Sequence, residues 1–146
     1  MKKTFVTLAV TLLLSACSSD NAATDAIADA VAGMADGTVT MTRAIEIADS
    51  LCQKFDRYSP ETGARIQGTL VYMVNTAVDA DSVDIAERAM RLYLANHDAM
   101  TERDSTAWAT ATADVQTING YLNTPAIVDR YRRSIAGLET LRNLPR

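Results

Sequence analysis

The feature that most constrains this chain is a hydrophobic repeat of three and four residues, interrupted and restarted several times from Thr40 onward. Apolar side chains at that spacing share one face of an α-helix and must be buried against another element. Met41, Ala44, Ile45, Ala48, Leu51, Cys52 and Phe55 form the first stripe, with Arg43, Glu46, Asp49, Gln53 and Lys54 on the opposite side. Ser59-Pro60-Glu61 then restarts a helix: a capping hydroxyl, a proline at the first helical position and an acid at the positive end of the dipole. Ile66, Leu70, Met73, Val74 and Ala77 make the next stripe. Gly68 lies inside it, at a cost of about 1 kcal/mol relative to alanine, which predicts a close helix contact there.

Asp79-Ala80-Asp81-Ser82 reads as a break and a new cap, followed by Ile85, Ala86, Ala89, Met90, Leu92 and Tyr93. Asp84 with Arg88 and Glu87 with Arg91 are acid-first pairs four residues apart, each contributing a few tenths of a kcal/mol. The polar run from His97 to Asp104 reads as a turn. Trp108, Ala111, Val115, Ile118 and Leu122 form a fourth stripe, although the Ala-Thr alternation from Ala107 to Ala113 also permits a strand. Thr124-Pro125 repeats the cap-plus-proline signal before Val128, Tyr131, Ile135, Leu138 and Leu141.

Five amphipathic helices, each about 25 Å long and joined by short connections, predict an all-α, antiparallel helical bundle. The alternative is a short α-solenoid of stacked helical hairpins. It draws on an echo between Glu46-Ile47-Ala48-Asp49 and Asp84-Ile85-Ala86-Glu87. A composition of 48% hydrophobic and 22% charged residues over 146 positions suits one globular domain.

The N-terminus has a different design. Met1-Lys2-Lys3 precedes an apolar run from Phe5 to Leu14, and Leu14-Ser15-Ala16-Cys17 closes it. A basic start, a short apolar stretch and small residues are the parts of an export signal, and roughly ten apolar residues are too few to span a bilayer. Leu14-Ser15-Ala16-Cys17 resembles the lipobox of bacterial lipoprotein precursors. The resemblance covers residues 1–17 alone. It implies cleavage before Cys17, a diacylglycerol on its thiol and acylation of its freed amine, which together hold a protein on a membrane. Ser18, where an Asp would imply inner-membrane retention, implies the outer membrane; Asp20 resembles the acidic residue of some surface-export signals. The expected organisation is therefore a signal peptide at 1–16, an acidic Ala/Asp-rich tether at 17–39 and a helical domain at 40–146. A sparse stripe at Ala23, Ile27, Val31 and Met34 leaves the tether open to a marginal helix, weakened by Gly33 and Gly37. Fully flexible, the segment from Cys17 to Thr40 would reach roughly 25–30 Å.

Loss of Lys2 and Lys3 leaves 12 basic residues of the original 14 against 18 acidic ones, a net charge of −6. That balance argues against nucleic acid as a partner. With Cys17 acylated, Cys52 is the remaining thiol, and its spacing from Ala48 and Phe55 predicts a place in the core. Trp108 and the tyrosines are expected at helix interfaces.

Signals for chemistry are sparse. One histidine and one thiol offer no His/Cys metal cluster, and neither a P-loop nor a dinucleotide fingerprint is present. No cofactor is implied. Asp79 and Asp81 read as turn formers. A hydrolase would have to be assembled from His97, Asp98, Glu102 and a hydroxyl, whereas an ordinary role for His97 is to complement a helix C-terminus. Arg130, Arg132, Arg133, Arg142 and Arg146 form a basic C-terminal cluster. They suit either an anionic partner or intramolecular pairs such as Asp129–Arg133.

The expected function is a lipid-anchored cell-envelope lipoprotein acting as a non-enzymatic helical interaction module, with the membrane and an envelope protein as partners. One alternative is a small envelope enzyme using His97 and nearby acids. Another is a binder of a small apolar ligand, expected in a pocket lined by Met73, Met90 and Trp108.

Overall fold

The computed structural model describes residues 20–113, 116–117, 120–121 and 123–145, with side chains described for 20–113 and 123–145. The expected signal peptide, Cys17, and the Val115, Ile118 and Leu122 positions of the fourth stripe lie outside the described residues. The fold is an all-α helical bundle. Helix α1 spans residues 20–36. It is followed by α2 (Met41–Cys52), α3 (Pro60–Asp79), α4 (Val83–Ala113) and α5 (Thr124–Arg142). A 3-10 turn at Phe55–Arg57 links α2 to α3, and a two-residue antiparallel ladder, Gln116–Thr117 with Gly120–Tyr121, lies between α4 and α5.

Helices α2, α3 and α5 each start on a side-chain cap. Thr40 accepts from the Arg43 N–H and Ser59 from the Thr62 N–H, with Pro60 opening α3. Helix α5 is capped one residue earlier than expected. Asn123, rather than Thr124, accepts from the Ala126 N–H, and Thr124 and Pro125 are already helical. Asp81 turns the chain between α3 and α4 with φ 57°, a left-handed conformation that aspartate tolerates.

The segment expected as a tether is helical from residue 20. Ala23, Ile27 and Ala30 are buried in the same core cluster as residues of the other four helices. Gly33 and Gly37, which weigh against a helix, shape its end: Gly37 adopts φ 81°, and the Val39 N–H returns to the Gly33 carbonyl at 2.9 Å. Asp20 at the start of α1 accepts a long hydrogen bond from the Ser59 N–H, 3.4 Å, so α1 begins beside the N-terminus of α3.

Helix α3 occupies the centre. Eleven of its residues are buried, among them Gly63, Ile66, Gln67, Leu70, Met73 and Val74. Gln67 is fully enclosed and donates to the Tyr93 carbonyl of α4 at 3.0 Å. Gly68 is buried as well. A close approach also occurs earlier on the helix, where a Cβ on Gly63 would lie 2.9 Å from Phe55 and 3.2 Å from Trp108. Those two rings meet edge to face at 6.1 Å between centroids.

The polar run from His97 to Asp104 is not a turn. Helix α4 continues through it and breaks at one residue, Asp104, with φ −163° and ψ 92°. The Asp104 carboxylate accepts from the Ala107 N–H at 3.0 Å, so the residue that ends one helical segment caps the next. The bend is sharp. Residues 97 and 108 would be about 16 Å apart along a straight helix, yet the Trp108 Nε1–H donates to His97 Nδ1 at 3.0 Å.

The Gly63 contact generates a prediction. Gly63→Ala gains about 1 kcal/mol of helix propensity, but the added methyl meets two packed rings, and overpacking costs about 1–3 kcal/mol. We expect a net loss of roughly 1 kcal/mol in urea unfolding. A variant as stable as the parent would show that the Phe55–Trp108 contact yields freely.

Candidate functional site

Two concavities flank α5, and each is built by the way that helix docks. The first is an apolar groove between α5 and the turn joining α3 to α4. Val74 and Val78 of α3, Val83, Ala86 and Met90 of α4, and Leu138 and Leu141 of α5 supply its walls, enclosing about 720 Å³. Val78, Val83 and Leu141 are each more than half exposed, as is Leu144 just beyond. Gly137 lies on this wall with nothing within 4 Å of where its Cβ would be. A larger residue there would narrow the groove. Arg130 lies on the same wall and makes no ion pair among the described residues.

The remaining described arginines of the C-terminal cluster are paired. Arg132 meets Asp98 at 2.8 Å and Arg133 meets Asp129 at 2.9 Å. Arg142 reaches across to Glu87 of α4 through both guanidinium nitrogens, one at 2.7 Å. Glu87 also accepts from Arg91 at 2.9 Å, the expected pair four residues apart. Hydrogen bonds from Arg142 and then Arg91 hold the Glu87 carboxyl at about 2, well below the usual carboxylate range. Arg88, expected to pair with Asp84, turns instead to Asp49 of α2 at 2.8 Å. The Arg132–Asp98 and Arg142–Glu87 bridges fasten α5 along α4.

The second concavity lies at the elbow of α4, where Thr101, Ser105, Trp108, Ala109 and Ala113 face Asn123, Thr124 and Pro125 of α5 across about 610 Å³. His97 lies on its wall, and burial lowers its pKa, opposed by Asp98. Its place corrects the sequence expectation: it is inside α4, not at a helix C-terminus. Because indole only donates, His97 Nδ1 accepts, and the neutral ring carries its proton on Nε2. No lone pair is left on the neutral ring to act as a base. Asp98 is engaged by Arg132, and Glu102 is exposed.

The three residues expected around one ligand do not meet. Met73 is enclosed in the core at 1% exposure, Met90 lines the groove and Trp108 lines the elbow pocket. Cys52 is partly buried, accepts from Asn96 Nδ2 at 2.7 Å and is pushed up to about 11 by burial, so its thiol is neutral at physiological pH. Among the described residues no three His, Cys, Asp or Glu side chains converge on a metal position, and no helix is long and apolar enough to cross a membrane.

Gly137 and Val78 drew no notice as sequence. A glycine inside a helix, away from any cap, and a valine one turn past Val74 are the signals that could have found the groove. No family model, curated protein or solved structure matches this chain.

The Glu87 clamp has a definite pH dependence. A carboxyl depressed in the folded state contributes stability above its unfolded pKa of about 4.3, and that contribution is lost as pH falls toward 2. We expect Glu87→Gln to lower the melting temperature at pH 7 and to flatten its decline between pH 5 and 2. Parallel wild-type and variant melting curves through that window would refute the clamp.

Proposed function

We propose that this protein is a lipid-anchored lipoprotein of the cell envelope, resident on the outer membrane, that presents a helical docking surface to another envelope protein. The groove beside α5 is the observation that carries the docking role. Soluble surfaces scatter single apolar residues, whereas a continuous apolar concavity with three more than half-exposed aliphatic side chains marks an interaction site. Covering those side chains returns roughly 1 kcal/mol each.

Chain length rules out an occupant from the processed N-terminus. With Cys17 as first residue, three peptide steps separate the lipid from Asp20, a reach of at most about 11 Å. Asp20 is held beside Ser59, and the groove begins at Val74, about 20 Å further along α3. A lipid on Cys17 would therefore lie toward the end of the bundle away from the groove, which would leave the groove accessible on an anchored protein. The fitting occupant is an amphipathic helix of a partner, with an apolar face over Gly137 and a carboxylate toward Arg130. The lone pair taken from His97 weighs against the enzymatic alternative.

Two measurements test this reading. Mass spectrometry of the native protein should find residues 1–16 absent and Cys17 acylated; an unmodified Cys17 would overturn the anchoring. A photo-crosslinker at Leu141 in cells should capture a defined envelope protein, and the yield should fall severalfold with Arg130→Glu, since reversing a rim charge weakens encounter. A crosslinker at Thr69, away from the groove, is the control. Equal capture from both positions would refute the docking role.

A further inference from the structure

We propose that the pocket at the α4 elbow is a binding site for a small, uncharged, largely apolar molecule bearing one carbonyl or hydroxyl group. This inference is independent of the groove and of the lipid. At about 610 Å³ the pocket is within the size range of small-molecule sites. Trp108, Ala109, Ala113 and Pro125 give it apolar walls.

Thr112 and Asn123 on its wall spend their side chains within the fold, on the Trp108 carbonyl and the Ala126 N–H, but two other polar groups have atoms to spare. The Thr124 side chain is 7% exposed, lines the pocket and has a hydroxyl without a hydrogen-bond partner. The Tyr93 hydroxyl is near enough to feel it, but neither satisfies the other. A buried hydroxyl left unpaired costs about 1–3 kcal/mol, which a ligand group can recover. The second polar group is His97. Trp108 fixes its ring through Nδ1, so the remaining N–H, on Nε2, is a preset donor with no partner among the described residues. That donor suits a carbonyl or hydroxyl oxygen.

Charge selection follows from what lines the site. No Asp, Glu, Lys or Arg is among its described lining residues. Against those residues a charged ligand would lose hydration without meeting a counter-charge. The elbow creates these conditions together, because the Asp104 break brings Trp108 back against His97 and opens the space toward α5.

Trp108 is the only tryptophan, so its indole N–H gives a single, assignable NMR signal from the pocket wall. The purified protein is titrated with three neutral ketones of increasing size, camphor, menthone and cyclododecanone, and with camphor-10-sulfonate. At least one ketone should shift the Trp108 signal saturably, and the sulfonate should bind at least about tenfold more weakly than camphor or not at all. Ala109 is exposed and on the pocket wall, so Ala109→Leu should abolish the ketone shift while leaving the melting temperature unchanged. Thr124→Val should weaken binding severalfold. The proposal is overturned if no ketone gives a saturable shift, if Ala109→Leu binds like the parent, or if the sulfonate binds as well as camphor.

Discussion

Burial of α3 on most of its circumference is the constraint on which the rest of the molecule depends. An amphipathic surface helix needs one neighbour; a helix with eleven buried positions needs neighbours on several sides. The remaining helices supply them, and their residues join α3 in one core cluster. Two devices let α3 sit so deep. Gly63 has no side chain where Phe55 and Trp108 cross it, and Gln67 spends its amide on the Tyr93 carbonyl, so a polar side chain at full burial is partly satisfied.

The second organising element is the single-residue break at Asp104. A longer loop would have let the two parts of α4 separate. Instead one carboxylate caps the following segment, and the chain reverses within a few residues. That reversal seats Trp108 under Gly63 and against His97, which links the elbow to the centre of the core. Helix α5 is held closely by α4, through Tyr93 stacked edge to face on Tyr131 and through the arginines that converge on Glu87 and Asp98. The two concavities flank α5 where it docks along α4.

The helices and most of their caps could be read from residue order because they are local. Ser59-Pro60 starts α3, and Asp79 to Ser82 is the turn into α4. The misread positions share a cause. The His97–Asp104 run is polar because most of it faces solvent on a helix, with Met100 buried at 2% exposure and His97 half-buried, and polarity by itself does not tell an exposed helix face from a turn. Arg88 found Asp49, 39 positions away, closer than its expected neighbour on the same helix. Residues 20–36 read as a marginal helix because their stripe is sparse and two glycines weaken it; burial against the bundle supplies what local signals do not.

Of the candidate sites, the pieces were visible and their grouping was not. Arg130 stood in a basic cluster, and only cross-helix geometry separates it from Arg132 and Arg142, whose charges are spent within the fold. His97 could be seen as the single imidazole, but its lone pair is committed by a tryptophan that the elbow returns to it. By itself, the order of residues determined the all-helical class, the places where helices begin and the leader that resembles a lipobox, because capping, periodicity and a cleavage motif act over a few neighbours. Tertiary packing decided which face of each helix is covered, which arginine stays unpaired and where space is left open, because those depend on side chains brought together from distant parts of the chain.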